Sequence, residues 1–142
     1  MKRRHWVLLA IAAAEGEPLT PVQLQKSLFL LGKLSEKKPK DFYNFVPYNY
    51  GPFDAAIYHD AERLSEDGLI IIRQSPGQRW NEYAATASGL THAKELEAEI
   101  PARTAKHLRR LVAWTRPFSF QELVRLIYKL FPAYRVQSVF KD

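Results

Sequence analysis

Gly68-Leu69-Ile70-Ile71-Ile72, Ser75-Pro76-Gly77 and Trp80-Asn81-Glu82-Tyr83-Ala84-Ala85 make up the stretch whose reading decides the fold. Three consecutive isoleucines favour a strand, because side chains branched at Cβ suit an extended backbone better than a helix. Ser-Pro-Gly is turn chemistry, and the segment after it can return as a partner strand, so the stretch predicts a β-hairpin. On its N-terminal side, Phe53, Ala56, Ile57, Ala61 and Leu64 trace one face of a helix, and Gly68 lies where a C-terminal cap belongs. On its C-terminal side, Thr86 can cap a helix running to about Ala98.

Further upstream, a first helix is expected over about 3–14, ending at Gly16. Its opening, Met1-Lys2-Arg3-Arg4-His5 before an apolar run from Trp6 to Ala14, superficially resembles a signal peptide, but a first core helix is the preferred reading. The run is too short to span a membrane. Thr20-Pro21-Val22-Gln23 then combines a capping threonine, a proline at the first helical position and a glutamine that closes a capping box. Leu24, Leu28 and Leu31, widened by Phe29, Leu30 and Leu34, make this second helix central to the core. Lys37-Lys38-Pro39-Lys40 breaks it, residues 42–50 read as an aromatic extended connector, and Gly51-Pro52 is expected to open the third helix. Beyond Ala98, Pro101 opens a helix with an apolar stripe of Thr104, Leu108, Leu111, Val112 and Thr115. Ser119-Phe120-Gln121-Glu122 is a second capping box, starting a last helix with Phe120, Leu123, Val124, Ile127 and Phe131 on its core face.

Three helices, a hairpin and a further helix follow the winged helix-turn-helix plan. The expected class is mainly α with a small β-hairpin (α+β): a winged-helix domain over 1–100 and a C-terminal helical extension over 101–142, together one structural unit. Three segments carry a resemblance: Leu24-Gln25-Lys26-Ser27-Leu28-Phe29-Leu30-Leu31, Phe45-Val46-Pro47-Tyr48-Asn49-Tyr50-Gly51-Pro52-Phe53, and Ile127-Tyr128-Lys129-Leu130-Phe131-Pro132-Ala133-Tyr134. They resemble a group of bacterial and phage-associated winged-helix proteins related in pattern to the Panacea-type antitoxin domain. The aromatic-Gly-Pro-aromatic junction is the most specific element. The resemblance implies a transcriptional regulator, an antitoxin or a phage-defence accessory, and it carries fold better than function.

The 142 residues contain no cysteine, which removes disulfides and thiolate metal sites and suits a cytoplasmic protein. The net charge of +6 is divided unevenly: residues 1–50 carry +4, residues 51–100 carry −5 and residues 101–142 carry +7. A polyanion is drawn to the two ends and repelled by the middle. His5, His59, His92 and His107 fall at no short metal-ligand spacing, and no nucleophile elbow, zinc-helix motif or phosphate-cradling glycine loop is present. Neither metal nor cofactor is expected, and the chain reads as a binding module, not an enzyme.

Two partners fit such a module. Double-stranded DNA would be held at its phosphates by an N-terminal arm of Lys2, Arg3 and Arg4, by Arg73 and Arg79 flanking the wing tip, and by the helical stripe Arg103, Lys106, His107 and Arg110. Tyr58 and His59 on the third helix would touch bases. That helix is acidic, however, and the alternative is a basic protein gripped by Asp60, Glu62 and Glu66. The aromatic cluster from Phe42 to Phe53 either stacks on a partner or packs the connector onto the core; packing is preferred. The last two helices are amphipathic enough to pair in a homodimer, or to close onto the monomer core.

Overall fold

The computed structural model describes residues 1–140; the last two residues of the expected C-terminal extension lie outside the described residues. The fold is mixed α+β, with six helices and two small antiparallel hairpins among the described residues. The order is α1 (Arg4–Ala12), α2 (Pro21–Leu34), β1 (Val46–Tyr48), β2 (Gly51–Phe53), α3 (Ala56–Glu66), β3 (Ile70–Gln74), β4 (Asn81–Ala85), α4 (Ala87–Glu97), α5 (Ala102–Thr115) and α6 (Phe120–Leu130), then a 3-10 turn over Pro132–Arg135.

α1 and α2 form the centre. Trp6 to Ile11 are all buried in α1, and so is every residue from Gln23 to Leu31 in α2. A helix buried all round must be surrounded by other elements: α3, α4 and β4 pack on α1, while α5 and α6 pack on α2. The local signals explain the helix starts. Thr20 Oγ1 accepts from Gln23 N at 3.3 Å while Gln23 Oε1 accepts from Thr20 N at 3.0 Å, and Ser119 and Glu122 repeat the exchange at α6. Thr86 caps α4 by accepting from Gly89 N.

β3 and β4 pair from Ile70↔Ala85 to Gln74↔Asn81. Leu19, between α1 and α2, adds to the outer edge of β4: its N–H donates to Tyr83 O at 2.8 Å, and Tyr83 N donates back at 2.9 Å. The hairpin is thereby tied to the α1–α2 connection.

The structure corrects the reading of the aromatic connector. It is not merely extended: β1 and β2 pair as a tight hairpin with Tyr48 opposite Gly51, and Gly51 has a φ of +101°. Pro52 therefore sits in a strand and does not open α3. The helix starts after Asp54, whose Oδ1 accepts from Ala56 N at 2.9 Å. Phe120 is also displaced from its expected core position, lying exposed against Tyr50. The stripes Leu108, Leu111, Val112 and Leu123, Val124, Ile127 are buried within the monomer, which is the second of the two outcomes weighed for them.

Candidate functional site

α5 runs antiparallel along α2, and its register is fixed by buried polar contacts. Ser27 Oγ and Thr115 Oγ1 lie 3.1 Å apart, and Gln23 Nε2 donates to Arg116 O at 3.1 Å. This packing brings the start of α5 beside the loop that follows α2. Arg103, Lys106 and Arg110 on the outer face of α5, and Lys37, Lys38 and Lys40 in that loop, line one open cleft of about 890 Å³. His107 joins them, while Glu36 and Glu99 are the acidic members. Among the described residues none of the six lysines and arginines forms an ion pair; Lys38 donates to the neutral Asn44 at 3.3 Å. Converging cations that outnumber the acidic residues beside them and are not paired with them raise the positive potential of a concave surface.

The other residues expected to meet a partner fare differently. Arg3 is not free to reach a phosphate: its Nε donates to Asp60 Oδ2 at 2.9 Å and its Nη2 to Asp60 Oδ1 at 3.2 Å. That hydrogen bond raises the guanidinium pKa, against the opposing effect of burial. The same carboxylate accepts the Tyr43 hydroxyl at 2.6 Å, and burial together with that bond pushes the phenol's pKa well above its ordinary value. Asp60 is thus a structural anchor between α3, the connector and the N-terminus, and its carboxylate is not open to a basic partner. Tyr58 packs its ring near that of Tyr83 and shares a hydrogen bond with Gln25, and its burial raises the phenol's pKa. Arg73 is held by Glu82 at 2.7 Å across the β3–β4 ladder. Lys2, His59, Glu62, Glu66 and Arg79 are exposed, and Arg4 is half-buried. None of these lines the basic cleft.

A second cleft, sharing no residue with the first, opens between the start of α2, the β1–β2 hairpin and the start of α6. Its floor holds Lys26, which is only 3% exposed and whose Nζ donates to Pro52 O at 2.9 Å. Burial lowers the Lys26 pKa from 10.5 to about 7, with no charged neighbour among the described residues to offset it. The β1–β2 turn above it is clasped by the C-terminal segment: Val139 N donates to Asn49 O at 3.0 Å, and Ser138 Oγ, which accepts from Tyr128, donates to the same carbonyl.

Sequence reasoning missed Lys26 and the three loop lysines. Lys37-Lys38-Pro39-Lys40 was legible only as a helix breaker, although three cations around a proline are also a candidate contact. Lys26 lies between Leu24 and Leu28 on a helix apolar on nearly every side, so its burial followed from the same pattern that made α2 central. No protein-family model matches the chain, and no curated protein matches it in sequence.

Proposed function

We propose that this chain is a winged-helix protein that binds double-stranded DNA by its phosphate backbone, with the cleft between α5 and the α2–β1 loop as the principal contact surface, and acts in the cytoplasm as a transcriptional regulator. The carrying observation is the convergence of Arg103, Lys106, Arg110, Lys37, Lys38 and Lys40 without ion-pair partners among the described residues. The Leu19–Tyr83 bridge supports the winged-helix reading, because that plan pairs a short segment between the first two helices with the second strand of the wing. Sequence preference then rests on exposed His59 of α3, with exposed Arg79 of the wing loop as a further phosphate contact and Tyr58 in a packing role.

The test is a titration of short duplexes over a range of salt concentrations. With about 4 to 6 phosphates neutralised, log affinity should fall against log salt with a slope of roughly −4 to −5. Failure to bind any duplex at low salt overturns the reading. It would favour instead the protein-binding alternative, in which exposed Glu62 and Glu66 on α3 meet a basic partner.

A further inference from the structure

Four of the large aromatic side chains left exposed by the fold meet at one place. Tyr48 and Tyr50 from the β1–β2 hairpin, Trp80 from the β3–β4 loop and Phe120 from α6 line the second cleft, and Phe53 and Phe118 extend its apolar walls. The volume, about 670 Å³, is that of a small-ligand site. Among the described residues, Lys26 alone of those lining the cleft carries an ionisable amine, and no Asp, Glu, Arg or His joins it. Among the described residues, the titratable groups facing it from the surrounding elements are phenols: Tyr48 and Tyr50 of the hairpin, Tyr58 of α3 and, beside Gly51, Tyr128 of α6.

Gly51 matters to access as well as to the turn. A Cβ at this position would stand 3.5 Å from Lys26 Nζ and 3.4 Å from the Tyr128 ring, so its absence keeps the space over the amine open. A lysine ammonium has three donors, and the Pro52 carbonyl takes one. A charge buried without a counter-ion is costly, and an anion entering the cleft removes that cost. The lining sets the anion's character. One cation and predominantly apolar walls match a single negative charge on an apolar body, and disfavour a phosphate, whose higher charge calls for more than one cation.

We propose that this cleft binds a small monocarboxylate with an aromatic or aliphatic body, the carboxylate accepting from the Lys26 ammonium and the body packing between Tyr48, Tyr50, Trp80 and Phe120. The site is independent of the duplex-binding reading. Because the buried amine is largely neutral at mildly alkaline pH, binding of the acid draws a proton onto Lys26.

Calorimetry with 3-phenylpropionate, its neutral amide and acetate tests this on the full chain. The acid should bind saturably and at least about tenfold more tightly than the amide, with acetate weaker still. Near pH 8, enthalpies measured in buffers of different ionisation enthalpy should report uptake of most of one proton. Lys26→Met should bring acid and amide to equal affinity. Should that variant fail to fold, the proton uptake of the unaltered protein decides, and Trp80→Ala, at an exposed rim position, should weaken acid and amide alike. Equal affinity for acid and amide in the unaltered protein, absence of proton uptake, no saturable binding in the millimolar range, or indifference to Trp80→Ala would each overturn the proposal.

Discussion

Arg3 grips Asp60 through two hydrogen bonds, at 2.9 and 3.2 Å, across 57 positions of sequence. The pair closes the N-terminus of α1 onto the middle of α3, and the Tyr43 hydroxyl shares the carboxylate at 2.6 Å. An exposed ion pair contributes little to stability, but here Tyr43 is buried and Asp60 side-chain exposure is only 16%.

Asp60→Ala is therefore expected to lower stability by about 2–3 kcal/mol, since it leaves a buried hydroxyl with only the longer contact to Arg3 O. Asp60→Asn keeps an acceptor for Tyr43 and should cost roughly half as much. Urea midpoints at unchanged m-value measure both. A native midpoint in Asp60→Ala would free this residue for the role of partner contact.

Lys26 makes stability depend on pH in a definite direction. Its folded pKa of about 7 lies below the 10.5 of an exposed lysine, so between these values the unfolded chain binds the proton that the folded chain has lost. Folding is thus favoured as pH rises through that window, and the gradient disappears below about 7, where both states are protonated. At about 1.4 kcal/mol per unit, the unaltered protein should gain on the order of 3 kcal/mol relative to Lys26→Met between pH 7 and 9.5. Stopping there avoids the tyrosines: Tyr43 and Tyr58 have raised folded pKa values and oppose the trend once unfolded phenols ionise. A constant difference between the two proteins across the window contradicts a depressed Lys26.

The elements marked by local chemistry were legible in the sequence. The capping boxes at Thr20 and Ser119, the Thr86 cap, Gly68 and the Ile70–Ile72 strand each depend on neighbours a few positions away, and each is where the sequence put it. The β1–β2 hairpin was not legible, because Pro47 and Pro52 argue against strands and the clasp by Asn49, Ser138 and Val139 joins residues nearly ninety positions apart. The candidate contacts divide in the same way. The stripe Arg103, Lys106, Arg110 follows from helical period, whereas the capture of Arg3 by Asp60 and of Arg73 by Glu82 depends on tertiary placement.

Gly89 shows how close that placement is. A Cβ on it would lie 1.9 Å from the carbonyl oxygen of Leu69, so α4 rests its first turn directly on the backbone entering β3. Gly89→Ala must push the helix away and is expected to cost at least about 3 kcal/mol, with loss of the Thr86 contacts to Gly68 and Leu69. Gly77→Ala, at a φ of +71° with open space around it, should cost only about 1 kcal/mol. Thermal melts of the two variants compare them, and equal shifts would deny the close approach.

The basic cleft supplies the sharpest separation between binding and folding. Arg103, Lys106 and Arg110 are exposed and make no ion pair among the described residues, so their reversal to glutamate should leave the melting temperature nearly unchanged. If each meets a phosphate, the triple variant should lose affinity for all duplex sequences alike, and its salt slope should shrink by roughly 2 to 3. Reversal of Lys37, Lys38 and Lys40 should reproduce that loss from the opposite wall of the cleft. Arg73→Glu offers a contrast. Arg73 already holds Glu82, so its reversal places two carboxylates across the hairpin and should lower stability, with at most a small change in salt slope. His59→Ala, on the exposed side of α3, should change preference between sequences and leave the slope intact. Gel-shift titrations at two salt concentrations, beside melting curves for each variant, read all of these effects. A triple variant that binds duplex DNA with an unchanged slope would exclude the cleft as the phosphate surface.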